Sequence, residues 1–202
     1  MKTDPFDVHC IFRGIGRTGL VIFERDDVLL RRKTPLRDFT LGDVDRDFVK
    51  ALKQLRDANL RFGFLSDQRG MDAGSHGVSE FVALTRALDD LLRIDGAMPD
   101  FWLGWASPAS KIEVHPRDIT APKPEVAAIT QAKQWYGVAN PEAVFVGHSS
   151  EGLEAASRSD IHAIRYPGLL HRKYPSTAIT DAQRLSDVIG RVLGLDQRRT
   201  NY

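Results

Sequence analysis

Four short polar segments carry the side chains with chemical reach. Glu24-Arg25-Asp26-Asp27-Val28 offers carboxylates at alternate positions, and Ser66-Asp67-Gln68-Arg69-Gly70 offers a hydroxyl beside another acid. Ala121-Pro122-Lys123-Pro124 contributes an ammonium, and Gly147-His148-Ser149-Ser150-Glu151 an imidazole with an acid nearby. Carboxylates serve as acids, bases or nucleophiles, while an imidazole binds transition metals or supplies a positive charge. Each group also has a plain reading: Glu24, Asp26 and Ser66 as polar strand ends, Lys123 as an exposed helix-start lysine, His148 as a loop histidine. The choice depends on whether the fold gathers the four segments.

The surrounding elements predict that it does. Gly19-Leu20-Val21-Ile22-Phe23 is a continuous apolar run, as a strand buried on both faces requires. Phe48, Val49, Leu52 and Leu55 follow a helical stripe that Asp43 or Asp45 can cap, and Leu60 to Leu65 reads as the next strand. Ser79 is placed to cap a helix carrying Val82, Leu84, Leu88, Leu91 and Leu92, followed by a less regular stretch from Ala97 to Ala121 that includes Phe101-Trp102-Leu103. Pro124 suits a first helical position, Gly137 the end of that helix, and Ala143 to Gly147 returns to strand. After another short helix, Ile161 to Arg165 is the last strand candidate, and Thr180 is placed to cap a terminal helix through Leu185, Ile189 and Leu193. Alternating strands and helices imply a three-layer, doubly wound α/β fold with a mostly parallel sheet. Ligands of such sheets bind beyond the carboxyl ends of the strands, where three of the polar segments fall.

Composition bounds the rest. The 202 residues, 42% hydrophobic and 27% charged, fit one globular domain, with a core expected over about 19–195 and an irregular excursion over about 97–121. A net charge of +1 provides no global field for nucleic acid or a membrane, and the clusters Arg31-Arg32-Lys33 and Gln197-Arg198-Arg199 lack interleaved aromatics. The start, Met1 to Asp7, leads into no long apolar run, so a cytoplasmic location is expected. Cys10 lies in an apolar stretch and is expected to be a small buried hydrophobe, whereas Trp102, Trp105 and Phe101 are candidates for an exposed interface patch. Gly14-Ile15-Gly16-Arg17-Thr18-Gly19 fits a dinucleotide-binding glycine pattern but precedes its strand instead of following one. A tight turn between strands is expected there, and no nucleotide cofactor.

In order and spacing, the four segments resemble motifs of the haloacid dehalogenase (HAD) superfamily, in particular its histidinol-phosphate and heptose-bisphosphate phosphatase branch. The likeness runs from about residue 19 to 166 and implies a HAD-like Rossmannoid fold; a minimal or absent cap is expected, because only the Gln68 to Ser79 loop and the Ala97 to Ala121 stretch are available to cover the cleft. In that family a carboxylate attacks phosphorus, a second carboxylate two positions on protonates the leaving group, and Mg²⁺ neutralises the charge between the attacking carboxylate and the phosphoryl oxygens. The resemblance therefore implies Glu24 at the nucleophile position, Asp26 as acid/base, Ser66, Asp67 and Lys123 around phosphate, and Glu24, Asp26, His148 and Glu151 about the metal.

The departures fall on the reacting atoms. Glu24 stands where the pattern has aspartate, and its extra methylene moves the carboxylate by more than ~1 Å, a misplacement that can cost about 10²-fold. His148 replaces a metal-binding aspartate although Mg²⁺ favours oxygen ligands, and Glu151 is out of register for the usual second acid. Asp27 replaces a glycine. The stretch from Trp105 to Pro122 has only His115 and no cysteine, so the structural zinc loop of some relatives is not expected. The expectation is a phosphohydrolase-fold protein with an eroded site and a weak or lost Mg²⁺, binding a phosphorylated small ligand or a protein partner. The alternative is an active phosphatase with an altered nucleophile and metal site.

Overall fold

The computed structural model describes residues 8–30, 41–67, 77–105, 124–166 and 182–194. Six strands form a single sheet: β1 (Val8–Phe12), β2 (Thr18–Glu24), β3 (Leu60–Asp67), β4 (Phe101–Trp105), β5 (Ala143–Gly147) and β6 (His162–Arg165). Their order across the sheet is β1-β4-β3-β2-β5-β6, with β1 antiparallel at one edge and every other pair parallel. The central position of β2 follows from its sequence, since Leu20, Val21, Ile22 and Phe23 are all fully buried.

Alternation along β2 divides the core into two. Val21 and Phe23 face a cluster with α1 (Arg46–Asp57), α2 (Gly77–Ile94) and α5 (Ala182–Val192), through Phe48, Leu52, Leu88 and Ile189. Leu20 and Ile22 face the other cluster, built on Ala128, Ile129 and Ala132 of α3 (Pro124–Tyr136) and Ala155 and Ala156 of α4 (Ser150–Arg158). Helices thus cover both faces, giving the three layers expected of a doubly wound sheet. Asp45 caps α1, its Oδ1 accepting from the amides of Asp47 and Phe48, and Gly137 adopts φ 62° at the end of α3.

Several sequence expectations require correction. Phe101-Trp102-Leu103 belongs to β4 and not to an irregular excursion: a five-residue apolar run suffices when parallel β3 and antiparallel β1 flank it. Phe101 and Trp102 are accordingly buried and cannot form an exposed patch, and the Trp105 side chain lies outside the described residues; among the described side chains the exposed tryptophan is Trp135, stacked on Phe12 at 4.3 Å between ring centroids. Cys10 is exposed, because β1 is an edge strand. α2 starts at Gly77, which puts Ser79 inside its first turn. The Gly14 segment is no tight hairpin, since β1 and β2 are separated in the sheet by β4 and β3, and the connection crosses beneath them. Thr180 lies outside the described residues, as do 106–123 of the expected excursion. No helix among the described residues is long and apolar enough to cross a membrane.

Candidate active site

Parallel pairing brings three polar segments to one edge of the sheet. Glu24 pairs with Leu65, so Ser66 lies one residue beyond it on β3; Phe23 pairs with Val146, so Gly147 and His148 follow beside Glu24. The structure thus gathers Glu24, Asp26, Ser66 and His148 at the carboxyl ends of β3, β2 and β5. Asp67 closes β3, and Lys123 lies outside the described residues.

Glu24 does not point into open space. Its Oε2 accepts hydrogen bonds from the backbone amides of His148 at 2.5 Å and Ser149 at 2.9 Å, and its Oε1 accepts one from the Ser149 hydroxyl. The same Ser149 Oγ caps α4 by accepting from the Gly152 amide at 2.9 Å. One hydroxyl therefore donates to the carboxylate and accepts from the helix. Space for the carboxylate comes from two glycines. A Cβ on Gly147 would stand 2.8 Å from Glu24 Oε2, and one on Gly152 would fall on Oε1.

The segment after β2 turns sharply. The Arg25 carbonyl accepts from the amides of Leu29 at 3.0 Å and Leu30 at 3.1 Å, and Asp27 adopts φ 61°. Asp27 occupies the position where the family pattern has glycine, and its left-handed backbone is one that aspartate tolerates better than most residues. Arg25 is buried and grips its neighbour: Nε donates to Asp26 Oδ1 at 3.1 Å and Nη2 to Oδ2 at 3.0 Å, and Nη1 has no partner among the described residues. Ser66 is buried, with its hydroxyl donating at 3.4 Å to the Leu103 carbonyl.

The remaining candidates are less enclosed. The His148 side chain is half-buried, and its carbonyl accepts from Arg165 Nη1 at 3.3 Å. Glu151 is exposed in the first turn of α4, where its Oε2 accepts from Ser150 Oγ at 3.1 Å. Among the described residues, no group of three or more His, Cys, Asp or Glu side chains could hold a metal ion.

Solved structures share this architecture. A HAD-like phosphatase from Mesorhizobium loti superposes with a TM-score of 0.68 at 17% identity, covering 96% of each chain. The fold is HAD-like. The D,D-heptose 1,7-bisphosphate phosphatase of B. bronchiseptica, complexed with magnesium and phosphate, gives 0.62 at 16% identity over 86% of this chain and 98% of its own. Its counterpart from Burkholderia thailandensis gives 0.58 at 13% identity over 84% and 97%. No protein-family model matches the sequence, nor does any curated protein. At these identities the likeness is one of fold.

Sequence reasoning assigned no role to Ser149, Arg25, Gly147 or Gly152. Glycines at 147 and 152, bracketing a serine that can cap a helix, were the available signal for the β5–α4 turn. Nothing in the spacing showed that the turn would close on Glu24, a residue more than a hundred positions earlier.

Proposed function

We propose that this chain is a phosphohydrolase-fold protein that has lost aspartyl-phosphate chemistry and acts by binding a phosphorylated ligand, either a small molecule or a phosphoryl group carried by a partner. One observation carries the reading: both oxygens of Glu24, the residue at the nucleophile position, are engaged by the His148 and Ser149 amides and the Ser149 hydroxyl. A carboxylate so held is turned toward α4. To attack phosphorus it would have to leave all three donors.

The donor set also disfavours magnesium. Mg²⁺ needs carboxylate oxygens converging in near-octahedral geometry, but Glu24 turns its oxygens to the donors of the β5–α4 turn and Asp26 turns both of its own to Arg25. These carboxylates, as arranged, do not fit the ion. Ser66 at the end of β3 and Lys123 ahead of α3 supply the hydroxyl and ammonium that the family uses around phosphate, which supports binding of a phosphoryl group without turnover.

The test is phosphate release from phosphorylated sugars, amino-alcohol phosphates and an aryl phosphate, with Mg²⁺, Mn²⁺, Zn²⁺ or chelator, alongside calorimetric binding of the same compounds. The expected result is binding without turnover in the native chain, weakened by Lys123→Ala, and release only after the double reversion Glu24→Asp/His148→Asp. Native turnover abolished by Asp26→Ala would overturn the reading in favour of an active phosphatase.

A further inference from the structure

We infer that the β5–α4 turn is an anion cradle occupied by the chain's own Glu24 carboxylate, an internal clasp that joins β2 to α4 without a divalent cation. The inference rests on the reading of Glu24 as a captured carboxylate and adds what the captured group does.

The cradle is shaped for a carboxylate. Two consecutive amides, of His148 and Ser149, converge on Oε2, and the Ser149 hydroxyl addresses Oε1. Convergent backbone amides at the start of a helix favour negative charge, and α4 is nine residues long. Gly147 and Gly152 line the remaining walls, and a methyl group at either would meet the carboxylate. The clasp spans two layers: Glu24 ends the central strand, while Ser149 is the cap whose Oγ receives the Gly152 amide. Releasing the carboxylate would leave two amides and a hydroxyl without their partner, and would free the cap to rotate.

The length of glutamate is essential to this arrangement. An aspartate at position 24 would fall one methylene short of the amides. The substitution that moves the carboxylate away from nucleophile geometry is therefore the one that lets it reach the turn, and the two consequences have a single cause.

Chemical rescue provides the test. Glu24→Ala removes the atoms of one acetate ion and leaves the cradle, so its melting temperature should fall by about 5–10 °C. About 0.1 M acetate, against a dissociation constant on the order of 10 mM, would raise the folded-to-unfolded ratio about tenfold and restore roughly 3–5 °C. Acetamide, or chloride at equal ionic strength, should restore nothing. Equal rescue by acetamide, or no rescue by acetate, would overturn the clasp.

Should Glu24→Ala not fold, Glu24→Gln answers the same question. It keeps the shape but places an amide where Glu24 receives donors, so it should melt below the native chain; a melting temperature equal to the native one would refute the inference. In the native chain, millimolar Mg²⁺ or chelator should leave the melting temperature unchanged, and a rise of several degrees with Mg²⁺ would show the carboxylate leaving the cradle for the metal. These readouts are stabilities. A chain that binds no phosphorylated ligand yet passes them keeps the clasp and loses the proposed function, and the reverse outcome is equally visible.

Discussion

Two carboxylates hold the two ends of this sheet, and they are held differently. At the amino ends of the parallel strands, Asp100 is fully buried. Its Oδ1 accepts from the amides of Ile15 at 2.7 Å and Gly16 at 2.8 Å, and its Oδ2 from the Phe62 amide at 3.0 Å and Arg56 Nη2 at 2.8 Å. At the carboxyl ends, Glu24 is half-buried and takes three neutral donors from a single turn. Asp100 ties together the β1–β2 crossing, α1 and β3, with a guanidinium balancing its charge. Glu24 ties one strand to one turn by dipoles alone. The end that carries no candidate chemistry is fixed from three directions, whereas the end where ligands bind in such folds is closed by one side chain.

The largest effect should therefore come from Asp100. Asp100→Asn leaves Arg56 buried beside a neutral group and turns an amide nitrogen toward a donor, a loss of about 3–5 kcal/mol and a melting temperature lower by roughly 10 °C or more. Arg56 bears on the same hub, donating also to the Met98 and Leu60 carbonyls and lying 4.5 Å above the Phe62 ring. Glu24→Gln should cost less than half as much in the same urea and thermal titrations. Equal costs would erase the distinction between the two ends.

A smaller, asymmetric effect is expected at the Arg25–Asp26 pair. The Arg25 side chain is 7% exposed and Asp26 17%, and Arg25 Nη1 has no partner among the described residues. Asp26→Ala strands a buried guanidinium and should destabilise by about 2–3 kcal/mol. Arg25→Met removes a buried charge together with an unsatisfied donor, and leaves an acid that water can reach, so about 1 kcal/mol is expected. The reverse order, measured by denaturant titration with unchanged m-values, would mean that Asp26 is the more buried partner in solution.

The contrast between the ends also explains what was legible in the sequence. Leu20 to Phe23 and the stripe from Phe48 to Leu55 declared themselves, because burial on a sheet or helix face imposes a period on the residues. The gathering of Glu24, Ser66 and His148 was legible for the same reason: parallel strands put their carboxyl ends on one side. β4 was not, since five residues are too few to show a period and β1, its antiparallel partner, lies some ninety residues earlier. Nor were the hubs. Asp100 drew no reading, and Glu24 read as a polar strand end or a carboxylate at the nucleophile position, because hydrogen bonds between residues so distant in sequence leave no local pattern. Cys10 misled through its apolar neighbours, which describe a strand without saying whether it lies at an edge.

The smallest expected effect probes the field of Asp100 from a neighbouring group. The Tyr136 hydroxyl shares its single proton between the carbonyls of Arg13 at 2.8 Å and Asp100 at 2.9 Å, and its pKa is pushed well above the ordinary value near 10, first by burial and then by the Asp100 charge. The folded chain thus keeps this proton to higher pH than the unfolded chain, whose phenol ionises near 10. Stability from this group is complete below about pH 10 and declines as pH rises from there through the folded pKa, because the unfolded state then binds fewer protons. Tyr136→Phe should cost about 1 kcal/mol at neutral pH and melt along a shallower alkaline limb. Parallel limbs for the two proteins would show that the phenol does not sense its surroundings. In an Asp100→Asn background the second cause is gone, so ultraviolet titration should find the phenol ionising at lower pH than in the native chain. An unmoved phenol would mean that burial alone sets it, and that the charge at the amino end of the sheet is fully absorbed by Arg56 and the three amides.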